Sequence, residues 1–484
     1  MPTPTPRRMR IVQAHVRLDD PHLCNDDSNS LALQGAIYES LVARVDAATF
    51  APALATEWRV SDDARTWTFT LRPDVVAHDG EPVDASDVIT TLERVRDPSL
   101  GGMLGTEGVF ASYLEGATYH AARAPDGRET VRVTLARPIA DFLDLVVDFP
   151  IVPQRAHGRH AEAPVGTGRY RFVHGETHEV RLQRWNRHPS AASAADEVVF
   201  MAEPDPAARA EAVLRGDADV ASGLTPALAE AQEGAHGVRV VQRPASMCAV
   251  FFFNLHPETQ GSPVHDVRVR RALHHATDVD AIIATALRGR ARRLTGPFTE
   301  LHLAHDPDVA PYALDRERAR RLLAEAGYAD GCELTVDVPT RLPDEARQVA
   351  AMLREQWAAV RVRLRVVTHD DRPGYAHMVR AKRIHDLCCF DSGPISTYRV
   401  LVEKFQSSVR GPWWQGFADA EVDTAIDRAA AIPDTAERRA QYRDVYRRLV
   451  DAAPWLYLYA PDKLWLTDER ADPWAPTFQG VSAA

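Results

Sequence analysis

The chain has 484 residues, of which 45% are hydrophobic and 26% are charged, a composition typical of a soluble globular protein with several domains. Its formal net charge is -11 at pH 7 and no long basic run is present, which argues against nucleic acid as a main partner. No apolar run is long enough for a membrane-spanning helix, so membrane insertion is not expected either.

The N-terminal segment carries no recognisable secretion signal. Residues 1–10 are basic and rich in proline and threonine, and residues 11–16 already have the pattern of a first strand. The protein is therefore expected to be cytoplasmic if Met1 is the native start, and extracytoplasmic if a leader has been removed.

Alternation of bulky and polar residues predicts a β-hairpin in the first hundred residues. Residues 58–60 and 66–72 alternate with a period of two, which is typical of half-buried strands. The short polar segment 61–65 between them has the composition of a hairpin connection.

A helix is predicted directly after this hairpin. Asp84 is placed to cap its N-terminus, and Asp87 puts a negative charge in its first turn. Val88, Leu92 and Val95 then follow at helical spacing and form an apolar face.

Further strands and helices have clear local signals along the rest of the chain. The predicted strands are residues 131–135, 250–254, 334–338, 362–366 and 455–459. The predicted helices are residues 207–214, one running from Asp266 past Asp278 to Leu287, residues 315–327 and residues 345–360. The strand–helix–strand order between 334 and 366 predicts an α/β lobe.

The helix after Asp266 carries several charged and titratable residues. Arg268, Arg270 and Arg271 are expected on its solvent-exposed face. His274 and His275 are adjacent, so their side chains diverge by about 100° on a helix, and a two-histidine metal site is not expected.

Several motifs in chain order resemble those of the family 5 extracytoplasmic solute-binding proteins, the receptors of ABC importers for peptides, nickel and sugars. They are YESLV at 38–42, PALATEW at 52–58, TWTFTLR at 66–72, HDG at 78–80, GTGRY at 166–170, GDADV at 216–220 and DVRVRRAL at 266–273. So many motif residues in one order are far more specific than a single short pattern.

The resemblance implies an α/β fold of the periplasmic-binding-protein type, with three lobes and a hinged ligand cleft. Lobe I is expected to be discontinuous, with residues 455–459 returning the chain to it. The expected boundaries are 1–44, 164–246 and 462–484 for lobe I, 45–163 for lobe II and 247–461 for lobe III.

Residues 390–399, part of an unusual segment at 386–399, are expected to line the ligand site. In peptide-binding members of the family the matching strand ends in an aspartate that holds the peptide amino group. Here Ile395 stands near that position and Asp391 lies four residues earlier, so the chain departs from the usual amine anchor. Asp391 supplies a charge if the loop takes a different path.

Arg399 has two interpretations. It forms an ion pair with nearby Glu403 on a helix surface, or it binds a ligand carboxylate, which suits the guanidinium geometry. In the second interpretation the side chain waits for ligand and does not brace the fold.

Two further regions complete the expected ligand site. Trp413 and Trp414 have the context of a loop and are available to a ligand, and by the resemblance the loop after the first strand reaches the cleft. The expected ligand-binding residues are Cys24, Asn25, Asp26, Met247, Phe251, Asp391, Ser392, Arg399 and Trp414.

The cysteines suggest no cofactor. Their spacing matches no metal motif, and the simplest interpretation is that they are small buried hydrophobic residues. The alternative is that Cys248 meets Cys388 or Cys389.

The expected function is capture of a small peptide-like or other polar solute, without catalysis, cofactor or metal. The expected partners are this ligand and an ABC permease, with a monomeric chain and no nucleic acid. The alternative is a cytosolic protein on the same scaffold that serves as a biosynthetic enzyme or a ligand sensor. A catalytic role is less favoured because Ser392 has no histidine near it in sequence to act as a base.

Overall fold

The structure is a computed structural model that describes residues 7–23, 27–100, 108, 110–190, 195–341, 343–469 and 471. The chain divides into two compact units, each of which contains both helices and strands. The first unit comprises residues 1–243 and 463–484, and the second comprises residues 244–462. The three-lobe division stays a prediction.

The first unit contains two larger sheets and a short strand pair. Its strands are β1 (Arg8–Gln13), β2 (Val42–Arg44), β3 (Phe50–Pro52), β4 (Ala55–Val60), β5 (Thr66–Leu71), β6 (Thr118–Arg123), β7 (Glu129–Thr134), β8 (Tyr170–Glu176), β9 (Glu179–Arg184), β10 (Glu197–Ala202), β11 (Val220–Ser222), β12 (Val238–Arg243) and, after the second unit, β19 (Lys463–Asp468). Its helices are α1 (Ser28–Ile37), α2 (Ala85–Val95), α3 (Ala111–Leu114), α4 (Leu143–Val146), α5 (Pro206–Leu214) and α6 (Pro226–Ala231).

The seven-stranded sheet of this unit is assembled from distant parts of the chain. Its order is β12-β19-β11-β1-β10-β9-β8, so the C-terminal strand lies between two strands from the middle of the sequence. Apolar residues of α1, such as Leu33 and Ile37, pack in one core with the sheet, and Ala210 and Val213 of α5 pack in another. β1 begins three residues earlier than predicted and ends at Gln13.

The predicted hairpin and helix are confirmed in the four-stranded sheet. β4 and β5 pair antiparallel, and the sheet continues through β7 to β6. The carboxylate of Asp84 accepts from the backbone N–H groups of Ser86 and Asp87, and the Asp87 side chain accepts from the backbone N–H of Asp84. This reciprocal capping box fixes the start of α2, whose residues Val88 and Leu92 are fully buried.

The glycines of the 166–170 motif allow a close backbone approach. A Cβ atom at Gly166 would lie 2.2 Å from the carbonyl oxygen of Ile37, and one at Gly168 would lie 2.6 Å from the carbonyl carbon of the same residue. The end of α1 therefore packs directly on this backbone, which explains the tight glycine-rich segment.

The second unit is built around one six-stranded sheet of order β14-β18-β13-β17-β15-β16. Its strands are β13 (Cys248–Phe253), β14 (Ala291–Arg293), β15 (Cys332–Pro339), β16 (Val362–His369), β17 (Leu387–Ser392) and β18 (Trp455–Pro461). Its helices are α7 (Val267–Ala276), α8 (Val279–Ala286), α9 (Arg316–Glu325), α10 (Ala346–Ala358), α11 (Arg372–Arg380), α12 (Thr397–Lys404), α13 (Ala420–Ala430) and α14 (Thr435–Ala452). Apolar residues of α7, α8, α9 and α10 pack with this sheet in one core.

The long helix predicted from Asp266 to Leu287 is wrong. Asp266 caps α7 as expected, but α7 ends at Ala276 and Asp278 caps a separate helix, α8. Thr277 lies between them with an extended backbone, and its hydroxyl donates to the Leu273 carbonyl at 2.7 Å. The indole N–H of Trp357 donates to the same hydroxyl at 3.0 Å, so a tertiary contact fixes the break.

The expected solvent exposure of Arg270 is also wrong, because this residue is 6% exposed. Its guanidinium donates to the carbonyls of Ala452 at 2.7 Å, Ala453 at 3.0 Å and Val264 at 2.8 Å. Arg270 therefore binds the C-terminal end of α14, whereas Arg268 is exposed.

Residues 455–459 do not return the chain to the first unit. They belong to β18, which pairs with β13 and β14 inside the second sheet. The first unit resumes at Lys463 with β19. In the described part of the chain, every helix is too short or too polar to cross a membrane.

Candidate functional site

The carboxyl edge of the second sheet brings together several helix N-termini. β15 pairs parallel with both β16 and β17, so the carboxyl ends of these three strands meet at one edge. α10, α11 and α12 begin after β15, β16 and β17 respectively. In α/β sheets this edge is where ligand sites collect, because helix N-termini and loops provide polar groups there.

Asp391, near the end of β17, forms an ion pair at this edge. Its Oδ1 lies 3.8 Å from Nη2 of Arg372, and the two side chains are 30% and 10% exposed. The Arg372 guanidinium also lies 5.1 Å from the ring centre of Phe390 and 5.8 Å from that of Tyr375. A carboxylate and a cation held by aromatic rings are thus available at the same place.

Ser392 follows Asp391 and points to the opposite face of the sheet. Ser392 is 1% exposed, and its hydroxyl has no hydrogen-bond partner in the described structure. Cys248 of β13 stands directly across the ladder from it. A buried hydroxyl of this kind normally finds a partner, so Ser392 stays a candidate for a ligand contact.

The loop after β17 is held by other parts of the second unit. The Ser246 hydroxyl donates to the Gly393 carbonyl at 2.7 Å, and Nε2 of His302 lies 2.8 Å from the Pro394 carbonyl. The backbone N–H of Ala304 donates to the Thr397 hydroxyl at 3.1 Å. These hydrogen bonds hold the loop between β17 and α12 in place. The polar groups at the end of β17 therefore have a defined position.

Arg399 and Glu403 form an ion pair within α12, with Nε of the arginine 3.0 Å from Oε1 of the glutamate. The residues are 9% and 3% exposed, so the pair is buried and not the surface pair that the sequence suggested. Because its guanidinium compensates a buried carboxylate, we now expect Arg399 to contribute to the stability of the fold. A ligand role for Arg399 stays a prediction.

Lys404, the last residue of α12, is a second buried cation. It is 3% exposed, and its ammonium lies 5.7 Å from the ring centre of Trp413. Burial lowers the pKa of Lys404 to about 8, because water no longer stabilises the charged form. No carboxylate of the described residues lies within ion-pair distance of it.

The remaining expected site residues have different environments. Phe251 is 1% exposed and packs in the core of the second unit, so packing accounts for it. Trp414 lies in the loop before α13 but is only 7% exposed, and its indole N–H donates to the Phe417 carbonyl at 2.5 Å. Met247 is half-buried just before β13. Cys24, Asn25 and Asp26 lie outside the described residues.

Sequence reasoning missed two charged groups at the starts of the helices that follow β15 and β16. Arg372 opens α11, and Glu345 precedes α10 and accepts a hydrogen bond from the Tyr459 hydroxyl at 2.8 Å. The Asp-Arg-Pro sequence at 371–373 signals a helix start, but not which strand end this helix faces. Arg372 lies beside Asp391 because β15 pairs in parallel with both β16 and β17. This pairing cannot be predicted from a local sequence pattern.

His385 forms hydrogen bonds with a buried aspartate of β15 and is not free to act as a base for Ser392. Nδ1 of His385 lies 3.0 Å from both carboxylate oxygens of Asp337, and Nε2 of His369 lies 2.8 Å from Oδ1. The Asp337 carboxylate is fully buried and also accepts from the His385 backbone N–H at 2.7 Å. Asp337 of β15 thus connects the end of β16, at His369, with the segment before β17, at His385.

Four of the cysteines are free. Cys248, Cys388 and Cys389 are buried, and Cys332 is partly buried. The suggested meeting of Cys248 with Cys388 or Cys389 is wrong, because the ladder places those two opposite Phe252 and Phe251. Burial raises the pKa of the Cys248 thiol to about 12, so this thiol is unreactive at neutral pH. The described residues contain no cluster of three or more side chains suited to a metal ion.

Comparison with solved structures identifies the fold. HbpA2 from Haemophilus parasuis superposes with a TM-score of 0.85 at 23% identity, covering 98% of both chains. The fold is therefore the α/β fold of periplasmic solute-binding proteins.

The family follows from the sequence comparison. Residues 49–419 match the family described as bacterial extracellular solute-binding proteins, family 5. The dipeptide-binding protein of Escherichia coli (strain K12) is 26% identical over 466 residues, which cover 89% of this chain and 84% of the relative. The glutathione-binding protein GsiB of Pectobacterium atrosepticum is 26% identical over 456 residues, which cover 91% and 85%. The chain belongs to the family 5 solute-binding proteins.

Proposed function

We propose that this protein is the ligand-capturing receptor of an ABC importer and that it takes a small peptide-like solute. The proposed binding position is the carboxyl edge of the second sheet, around Asp391, Ser392 and Arg372. Arg399, Met247, Trp414 and the loop that carries Cys24, Asn25 and Asp26 are further candidates for the surroundings of the ligand.

The observation that carries this proposal is the Asp391–Arg372 pair. The two side chains are 3.8 Å apart and partly exposed, so each has hydrogen-bonding capacity left for a ligand. A carboxylate beside a guanidinium suits a zwitterion, whose ammonium and carboxylate ends need partners of opposite sign. Short peptides have this character, and the relatives named for dipeptide and glutathione support the same class.

Location and partners follow from the same proposal. A receptor of this kind works outside the cytoplasm and delivers its ligand to a permease as a monomer. No specific observation on the described residues favours the enzyme or sensor alternative, since His385 binds Asp337 and the Ser392 hydroxyl is buried.

The test is a binding screen on the full chain with dipeptides, tripeptides, glutathione, haem and sugars. A solute at a hundredfold excess over its Kd should stabilise the protein by about 2.7 kcal/mol and raise its melting temperature. Native mass spectrometry of the purified protein should identify any solute carried from the cell. A protein that binds none of these solutes would contradict the proposal.

Variants locate the site. Asp391→Asn and Arg372→Met should each weaken binding of the identified solute by about 2–5 kcal/mol, because one ligand charge loses its partner. Arg363→Met is the matched control, since Arg363 lies on β16 of the same sheet with its side chain 82% exposed. If Asp391→Asn and Arg372→Met, like Arg363→Met, bind the solute with the wild-type affinity, the ligand binds elsewhere.

A further inference from the structure

A partly buried ionic cluster in the first unit connects the segment after β1 to α2. Arg94, near the end of α2, donates from Nη1 to Oδ1 of Asp20 at 2.7 Å and from Nη2 to the other carboxylate oxygen. Its Nη1 also lies 2.6 Å from Nδ1 of His22. One guanidinium thus binds two side chains of residues 17–23 at once.

The contact with Arg94 fixes the protonation state of His22. A guanidinium can only donate hydrogen bonds, so Nδ1 of His22 must accept. The ring proton is then on Nε2, which lies 2.7 Å from the Pro150 carbonyl and donates to it. His22 is therefore neutral in this arrangement, and a second proton on Nδ1 would place two N–H groups against each other.

Two further histidines and a tyrosine surround the same group. Nε2 of His160 lies 3.7 Å from Asp20, and the Tyr38 hydroxyl lies 3.4 Å from Nδ1 of His160. Nε2 of His157 lies 3.2 Å from the Val152 carbonyl, and its ring centre is 6.3 Å from that of His22. The charged and titratable groups that face His22 are Asp20, Arg94 and His157. His160, Tyr38 and Asp87 interact with Asp20 or His157 and are one contact further out.

The energetics favour neutral histidines and an ionised Asp20. Burial lowers the pKa of His22 to about 4, and the charge of Arg94 acts in the same direction. The pKa values of His157 and His160 are lowered by burial as well. Burial raises the pKa of Asp20, but the hydrogen bond from Arg94 and its other contacts bring it down to about 2.

We infer that Arg94, Asp20 and His22 form an acid-sensitive lock that holds residues 17–23 against α2 and the segment around Pro150. The lock is closed while the His22 ring is neutral. A proton on Nδ1 removes the acceptor for Arg94 and adds a positive charge beside it, so the segment detaches locally. This inference concerns the first unit alone and does not depend on which solute the protein binds.

The pH range follows from the direction of the shift. When the segment is detached, His22 titrates near its ordinary value of 6.5, and when the lock is closed it titrates near 4. The detached state therefore binds more protons between these values, and the lock weakens as the pH falls through that range. The equilibrium for local opening should rise on the order of a hundredfold from pH 7 to pH 4.

Two measurements on the full chain test the lock. The first is an NMR titration of histidine labelled with ¹⁵N in its side chain, which should show His22 as the Nε2–H tautomer with a pKa below 5. The second is hydrogen exchange, corrected for the intrinsic rates, of the peptide that contains His22 and Leu23. The backbone N–H groups of these residues bind Asp20 at 3.0 Å, so they should lose protection as the pH falls.

Variants separate the lock from general acid unfolding. His22→Gln keeps a neutral amide that cannot be protonated, so the opening of this peptide should change much less between pH 7 and pH 4 than in the wild type. His178→Gln is the control, because the His178 side chain is 73% exposed in the same unit, and it should keep the wild-type profile. If His22→Gln opens the segment at every pH, the fastening role is supported and the NMR titration decides the acid sensitivity. A His22 ring that titrates near 6.5, or a wild-type peptide that keeps its protection at pH 4, would overturn the inference.

Discussion

Two buried cations of the second unit, Arg270 and Lys404, have opposite surroundings. The guanidinium of Arg270 binds backbone carbonyls at the end of α14, so its burial satisfies groups that would otherwise lack donors. The ammonium of Lys404 faces the ring of Trp413 and has no ion pair among the described residues. We therefore expect the two buried charges to have opposite effects on stability.

Arg270→Ala should destabilise the protein by about 3–5 kcal/mol, because several buried carbonyls lose their donor. Urea denaturation followed by circular dichroism measures the loss. Arg268→Ala is the control on the same helix, where the exposed side chain contributes about 1 kcal/mol or less. Equal losses in the two variants would show that burial of Arg270 has no energetic role.

Lys404→Met should stabilise the protein by about 1–3 kcal/mol at pH 7, because a desolvated charge is removed. The folded-state pKa of Lys404 is about 8 and its ordinary value is 10.5, so the unfolded chain binds more protons between those values. The wild type therefore gains stability as the pH rises from 8 to 10.5, and the advantage of the variant should shrink over that range.

Lys382→Met provides the matched control for this prediction. Burial lowers the pKa of Lys382 to about 8 as well, but its ammonium donates to the carbonyls of Pro412 at 2.7 Å and Gly411 at 3.3 Å. Its removal should destabilise the protein by about 1–3 kcal/mol. Urea melts at pH 7 and pH 10 compare the variants, and a destabilised Lys404→Met at both values would refute the argument.

Among the single elements, helix α12 carries Arg399, which is proposed as a ligand contact and also forms an ion pair with Glu403 of the same helix. Arg399→Ala should cost about 3–5 kcal/mol of stability, because it leaves Glu403 buried without this partner. The double change Arg399→Met with Glu403→Met should recover at least half of that loss. Urea denaturation of both variants measures it.

The double variant also tests the ligand role of Arg399. Its fold is expected to be stable enough for calorimetry with a solute identified in the screen. A wild-type affinity would assign Arg399 to structure alone, and a loss of about 2–5 kcal/mol would assign it to the ligand site.

Local sequence patterns predicted most of the individual elements. The alternation of residues 66–72 predicted β5, and Asp84 and Asp266 marked two helix starts, because caps and periodicity are properties of neighbouring residues. The break at Thr277 was missed because it depends on Trp357, a residue distant in sequence.

The candidate site was predictable only in part. Asp391 and Ser392 lie in the segment that the family resemblance singled out, whereas the pairing of Asp391 with Arg372 requires the sheet order. The burial of Arg270 and Arg399 could not be read from their charge, since it follows from long-range contacts that periodicity does not encode.

For the whole molecule, the main feature is that the second unit interrupts a hairpin of the first. β12 and β19 pair antiparallel, with Arg243 directly opposite Lys463, and residues 244–462 lie between these two positions in sequence. The two ends of the second unit are thus joined to adjacent ends of two neighbouring strands. The further division of the first unit into lobes I and II, at residues 45 and 163, remains a proposal.

This connection makes a deletion experiment possible. A chain in which Arg243 is joined to Lys463 by Asn-Gly should fold as a cooperative unit, because a two-residue turn closes such a hairpin. A fragment of residues 1–243 should not, since it lacks β19 from the interior of its sheet. Circular dichroism and thermal unfolding compare the two, and a cooperative transition in the fragment would refute the need for β19.

The interior position of β19 also sets an order of events during protein synthesis. The ribosome makes strands β1 to β12, then the whole second unit, and only then the six residues of β19, which lie between β11 and β12. At about 5–20 residues per second, the unfinished sheet waits on the order of ten seconds or more with two unpaired strand edges. Until β19 emerges, the strand edges of β11 and β12 that it will cover are open to pairing with other chains.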